Sequence, residues 1–271
     1  MILSDLLQKK RRDIEEMKRR IPLHRLRDVA LHAKRSSVRS FAKAVKNPHG
    51  LNLICEIKKA SPSEGVIRED FQPLRIASYY ELGGASAISV LTEPHYFLGR
   101  PSYLRTIRQV TRLPILRKDF ILESFQLYES AVLEADANLL IASLLTDEEL
   151  RGLVGLGKEL GMDSLVEVHT EEDLKKAIDS QAEILGINNR NLKTLEVDPS
   201  AAKRLIPHIP KGKTIVVESG LKQYEEILEY KGLGAHAFLI GTTLMRAENI
   251  LTKLEELTGR DRKWRKAENG S

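Results

Sequence analysis

From residue 53 onward, short strand-forming runs alternate eight times with longer amphipathic segments, a pattern that few folds accept. The runs are LICEI (53–57), SAISVL (86–91), PILRKDF (114–120), ANLLIA (137–142), DSLVEV (163–168), EILGIN (183–188), TIVVES (214–219) and HAFLIG (236–241). Several are nearly continuous in apolar residues, as strands are when a parallel sheet is covered on both faces. Between them, LRIASYYELGG closes on glycines suited to a C-terminal cap. Thr146 precedes DEELRGLVGLGKELG and Thr170 precedes EEDLKKAIDS, each with acids in the first turn, as N-caps do. LKQYEEILEYKGLG and a single long segment, TTLMRAENILTKLEELTG, supply the last two helices. Unbroken alternation with right-handed crossovers predicts an α/β fold, the (β/α)8 or TIM barrel. A doubly wound open sheet is the alternative. Eight units within about 200 residues suit the barrel better, and the chain has no GxGxxG phosphate loop.

The pattern predicts one domain over residues 1–271, with a helical N-terminal extension (1–46), the barrel (47–259) and a polar tail (260–271). The extension reads as MILSDLLQKKRRDIEEMKRR, a Pro22-interrupted segment and SVRSFAKAVK. It is too short and too charged for a core of its own, so it is expected to pack on the barrel and cover part of one end. The tail, DRKWRKAENGS, reads as a polar segment that frays, with Trp264 the one residue in it that could dock.

The net charge of +5 suggests a polyanion partner until it is located. Residues 1–35 carry +6 and residues 260–271 carry +3, which leaves a body of −4. In QKKRRDIEEMKRR, charges of both signs surround Ile14 and Met17 at helical spacing, so the bland reading of a solvated helix face is preferred to nucleic-acid binding. Cys55 is the only cysteine, which excludes a disulfide framework and a thiolate metal centre. No apolar run approaches the ~18 residues of a membrane span. The first residues lack the features of a signal peptide, so a reducing, cytoplasmic setting is expected.

A (β/α)8 barrel works at the carboxyl ends of its strands, so polar residues there are the candidates. The first strand offers Glu56 and Lys58, two apart and therefore on one face. The third ends in Lys118, which shares a face with Phe120, while Arg117 reads as an ordinary outward-facing neighbour. The fifth offers Glu167, the sixth Asn188 and Arg190, and the seventh Glu218 with Ser219. Singly, each is more readily a surface or ion-paired group. Recurring at one end of one barrel, they would perturb one another's ionisation, the usual condition for acid/base work. Lys59 reads as a solvent or loop contact. Ser219-Gly220 and Gly241-Thr242 follow the last two strands, where many barrels hold a phosphate, and Ser61 in the Ser-Pro-Ser turn could donate to the same anion. The bland reading of those glycines is tight turns.

The pieces EIKKASPS, LTEPHYFLG, LRKDFI, LVEVHTEEDL, GINNRNL, VESG and FLIGTTLM, in this order, closely resemble the indole-3-glycerol-phosphate synthase family of tryptophan biosynthesis. The resemblance spans the barrel and the extension. It implies cofactor- and metal-free ring closure of 1-(2-carboxyphenylamino)-1-deoxyribulose 5-phosphate, with release of CO2 and water. It implies Lys118 as general acid, Glu167 in the dehydration, and Glu56 with Lys58 as a second acid/base pair. Asn188 and Arg190 would hold polar groups of the substrate, and Glu218 would contact its hydroxyls or orient a lysine. Phe97 and Phe120 would face the anthranilate ring; Ser61, Ser219, Gly220, Gly241 and Thr242 would surround the phosphate. Loop ASPSEGVIREDFQP, which contains Gly65, would be a mobile lid. Departures from the family pattern at Ala60, Glu64, Asn138, Ala142 and Thr242-Thr243 bear on rate and affinity rather than on the reaction. The expected protein is a monomer or weak homo-oligomer acting on a small phosphorylated molecule, with no nucleic-acid or membrane partner. The rivals are another phosphate-binding barrel enzyme, of phosphoribosylanthranilate isomerase or Schiff-base aldolase type, and a catalytically silent barrel.

Overall fold

Three helices precede the first strand in the computed structural model, which describes residues 2–32 and 39–260. They are α1 (Ile2–Arg20), α2 (Leu23–His32) and α3 (Phe41–Ala44). Strand β1 (Asn52–Ile57) leads into a small antiparallel hairpin, β2 (Ala60–Ser61) and β3 (Gly65–Val66), and then into α4 (Pro73–Leu82). There follow β4 (Ala87–Leu91), α5 (Ser102–Arg108), β5 (Ile115–Lys118), α6 (Ser124–Val132), β6 (Ala137–Ile141) and α7 (Asp147–Glu159). The chain continues with β7 (Asp163–Val168), α8 (Glu171–Asp179), β8 (Ile184–Asn188), α9 (Ser200–Leu205), β9 (Thr214–Glu218), α10 (Tyr224–Gly232) and β10 (Ala237–Ile240). It ends with α11 (Thr242–Met245) and α12 (Ile250–Thr258).

The eight long strands close into one parallel barrel in which every neighbour in sequence is a neighbour in space, and β10 returns to β1. Period-two alternation splits the apolar residues into two cores. Ile54, Leu116, Leu165 and Val216 point into the barrel. Cys55, Ile88, Leu140 and Val166 point outward against the helices. Thr146 and Thr170 cap α7 and α8 with full capping boxes, through Glu149 and Asp173, where the sequence places them. Helices α5 and α9 are not announced in the sequence, because Pro101 and Pro199 precede them rather than cap formers; α6 starts in a Glu123–Gln126 capping box, with a glutamate where the usual N-cap residues stand.

Two expectations need correction. The last segment is not one helix. Arg68 donates to the carbonyls of Met245 and Ala247, which ends α11, and the Asn249 side chain accepts the N–H groups of Leu251 and Thr252 to start α12. The extension covers both ends of the barrel, not part of one. At the amino end of the strands, Phe41 and Val45 are fully buried, Ala42 N–H donates to Asp163 and Asn52 donates to the Val45 carbonyl. At the carboxyl end, α1 inserts Leu3 and Leu6. The docking expected of Trp264 lies outside the described residues. Among those residues no helix is long and apolar enough to cross a membrane.

Candidate active site

Alternation along the strands sends Glu56, Lys118, Glu167 and Glu218 inward at the carboxyl ends of β1, β5, β7 and β9, around a cleft of about 540 Å³. Lys58 joins them just past β1, and its Nζ lies 2.7 Å from Glu56 Oε1. Lys118 Nζ lies 2.7 Å from Glu218 Oε2 and 3.4 Å from Glu167 Oε2. The three carboxylates are buried, so these interactions are poorly screened by solvent.

The charges set one another's ionisation. Burial opposes the Lys118 ammonium, but Glu218, Glu167 and Glu56 outweigh it and hold the lysine well above its ordinary value. Burial pushes Glu56 up, yet Lys58 and Lys118 prevail and keep it below the usual carboxylate range. Glu218 goes the other way: burial, helped by Glu167, raises it to about 7 against the pull of Lys118. Two glycines make room for this cluster. A Cβ on Gly186 would overlap Glu218 Oε1, and one on Gly241 would overlap Glu56 Oε1.

The cleft has an apolar side and an anion side. Phe97 and Phe120 face each other with centroids 6.3 Å apart and planes tilted by 42°, next to Leu3 and Leu6 of α1. Phe97 is fixed from behind by Glu93, whose carboxylate accepts the N–H groups of His95, Tyr96 and Phe97. Opposite lie Ser219 and Gly220, both with positive φ (66° and 81°), and Gly241 and Thr242 at the start of α11. Asn188 Oδ1 accepts from Arg190 N–H, and the Arg190 guanidinium donates to Leu195 O (2.7 Å) and to Ser63 Oγ in the first loop. Glu64, in the same loop, pairs with Arg246 and spans the mouth.

All the candidates named from the sequence, Ser61 included, line this one cleft. Lys59 does not; its carbonyl accepts from Ile67 and Arg68 and shapes the loop. Arg117 is not an ordinary neighbour. It points outward, but at 1% exposure it is sealed beneath α6, paired with Asp119 and Glu129 and donating to Ser130. An outward strand position in this fold faces helices, not water. Of the departures, Asn138 faces outward to Met162, away from the cleft, while Glu64 and Thr242 line it.

Sequence reasoning missed Asp119, Lys10, Glu93, Gly186 and the α1 leucines. Asp119 Oδ1 accepts from Lys10 of α1 at 2.7 Å and from Phe120 N–H, and its Oδ2 accepts from Thr92 and Arg117. Burial opposes its charge, but Lys10 and Arg117 hold Asp119 far below the ordinary carboxylate value. Asp119 stands between two cleft residues in LRKDFI, a local hint; its partner Lys10 lies over a hundred positions away and gives none. Helix α1 is tied down further by Asp5 to Tyr96, Asp13 to His95 and Lys18 to Glu123.

Comparison with known proteins gives a consistent result. A family model described as indole-3-glycerol phosphate synthase matches residues 3–257. The indole-3-glycerol phosphate synthase of Campylobacter curvus is 45% identical over 260 residues, covering 95% of this chain and 99% of the relative. That of Chlorobium phaeovibrioides is 48% identical over 249 residues, covering 92% and 96%. Among solved structures, 3-hexulose-6-phosphate synthase from Salmonella typhimurium superposes with a TM-score of 0.63 at 12% identity, over 77% of this chain and 97% of that one. KGPDC from Streptococcus mutans gives a TM-score of 0.60 at 14% identity, over 80% and 99%. At such identity these two speak to the barrel alone.

Proposed function

The chain belongs to the indole-3-glycerol phosphate synthase family, and on that premise we propose how its own residues close the indole ring. The substrate is the phosphorylated anilino-ribulose, 1-(2-carboxyphenylamino)-1-deoxyribulose 5-phosphate, and the enzyme is a carboxy-lyase. The observation that carries the roles is the Lys118 ammonium, half-buried and pinned by Glu218 and Glu167 at the carboxyl end of β5.

The apolar side of the cleft, Phe97 and Phe120 with Leu3 and Leu6, suits the anthranilate ring. The anion side suits the phosphate: Ser219 and Gly220, with positive φ, line it together with Gly241 and Thr242 and would offer backbone N–H groups, and Ser61 adds a hydroxyl. Anchoring the two ends holds the ring carbon against the ketone, which is where most of the rate gain from orientation arises. As that carbon attacks, Lys118 protonates the ketone oxygen. CO2 departs and the electrons of its bond restore the aromatic ring. Glu167 then moves a proton from the former C1 methylene to the new hydroxyl, which leaves as water, with Glu56 and Lys58 as the second acid/base pair. Solvent reprotonates Lys118. Asn188 and Arg190 hold substrate oxygens, Glu218 keeps Lys118 charged and aimed, and closure of the first loop excludes water.

An aldolase-type imine requires a neutral lysine amine as nucleophile. The carboxylates around Lys118 favour its charged form and so favour proton donation. The same reading sets the enzyme in the cytoplasm as a monomer or weak homo-oligomer. The direct test is to incubate the protein with the anilino-ribulose phosphate and follow indole fluorescence; absence of turnover by the wild type sinks the assignment.

Glu218 gives this reading a pH signature. Above about 7 it is ionised and holds the Lys118 ammonium in place; below, it is neutral and that hold is lost, although the lysine stays charged. Accordingly kcat/KM rises with pH through about 7 and then levels. Glu218→Gln is expected to be slower and to lack that ascending limb, which pH–rate profiles of the two proteins check. An unchanged limb in Glu218→Gln would assign it to another group.

A further inference from the structure

Glu167 presents only one of its two oxygens to the active site. Oε2 faces Lys118, whereas Oε1 is buried and has no hydrogen-bond partner among the described residues. A carboxylate oxygen in that state is costly to leave unmatched. His169 Nε2 lies 3.3 Å from it and is itself buried and unmatched. Two orphaned atoms of complementary chemistry thus face each other.

The placement has a local cause. His169 follows the last residue of β7 and stands two positions beyond Glu167, which brings its ring beside that carboxylate. The His169 backbone is fixed by the cap of α8: Asp173 Oδ2 accepts the N–H groups of His169 (3.0 Å) and Thr170 (3.2 Å). The same oxygen lies 3.9 Å from the far ring nitrogen, Nδ1. A chain of groups therefore runs from the α8 cap through His169 to Glu167 and on to Lys118 and Glu218. His169 is not among the residues that line the cleft and stands behind Glu167.

We infer that His169 is a positioning residue for Glu167: its Nε2–H holds Oε1, so that Oε2 stays turned to Lys118 and the reacting atoms. The inference rests on the role given to Glu167 above. Without the imidazole, the carboxylate is free to rotate about its last torsion, a broad and shallow one.

The experiment is a double-mutant cycle on the full chain, with steady-state kinetics and thermal melts. His169→Ala is expected to lower kcat on the order of tenfold to hundredfold, the loss a misplaced catalytic group produces, with KM unchanged. His169→Gln, whose amide N–H can serve the same oxygen, is expected to recover part of kcat and carries the test if the alanine variant melts early. In a Glu167→Gln background, His169→Ala is expected to add almost nothing, because the group it positions has lost its function. Additive losses, or a rise in KM in place of the fall in kcat, would overturn the positioning role while leaving Glu167 in place. Full activity of Glu167→Gln would instead overturn the assignment of Glu167, and the inference with it.

Discussion

Lys118→Ala is expected to lower kcat/KM by roughly 10³-fold or more while the barrel stays folded, since a positioned general acid is worth about 10² to 10⁴ and this one also offsets developing charge. The fold survives because Lys118 contributes little packing; its head group sits in the cleft among carboxylates. Removing it leaves Glu56, Glu167 and Glu218 close together with Lys58 as the nearest remaining cation. Buried carboxyls in that position take up protons rather than unfold the protein. Single-turnover kinetics with the anilino-ribulose phosphate and a circular-dichroism melt read the two effects separately. Near-normal activity would refute the acid role. Borohydride treatment of the wild type with substrate adds an independent check: a covalent adduct at Lys118 would move the chemistry to an imine.

The second large effect is structural. Asp119→Ala is expected to cost about 3–5 kcal/mol, because it strips a buried carboxylate from Lys10 and Arg117 and leaves Lys10 sealed without its partner. For a domain of this size that is a fall in Tm of roughly 6–20 °C. Lys10→Met should cost less, since Asp119 retains Arg117, Thr92 and the Phe120 N–H. The loss reaches the cleft through α1, which brings Leu3 and Leu6 over the apolar side. KM is therefore expected to rise in both variants. Because Asp119 is held below its ordinary value of 3.8, its stabilisation is fully present above that pH and disappears as pH falls from there through the lower value it has in the folded protein. Asp119→Ala should flatten that acid limb of the stability curve. Thermal melts across pH decide the matter, and a loss under about 1 kcal/mol would show that α1 is held by other contacts.

The two variants mark the division between what local sequence expresses and what it does not. Lys118, Glu167 and Glu218 were legible because they interrupt apolar strands, and an interrupted strand in a barrel points to its rim. The caps Thr146 and Thr170 were legible for the same reason, since capping needs only the next three residues. Arg117 was misread because alternation tells which face a side chain takes, not what covers that face. Here α6 covers it and supplies Glu129 and Ser130. The final helix was misread because its break is imposed by Arg68, more than 170 positions upstream. Gly186 went unnoticed because its reason is a carboxylate on the neighbouring strand.

By itself, the sequence determined the eight strands, their order around the barrel, the rim that carries the charges and the family to which the chain belongs. Those are properties of short windows, set by period-two alternation, caps and local motifs. The tertiary structure alone decided which charges pair: Lys118 with Glu218, Lys10 with Asp119, Glu167 against His169. It also decided that α1 completes the apolar wall while α3 closes the opposite end. Most of these contacts join residues far apart in the chain, and all form only when the barrel has closed and its interior excludes water. In that interior a charge without a partner is too costly to keep, so the pairing becomes part of the fold.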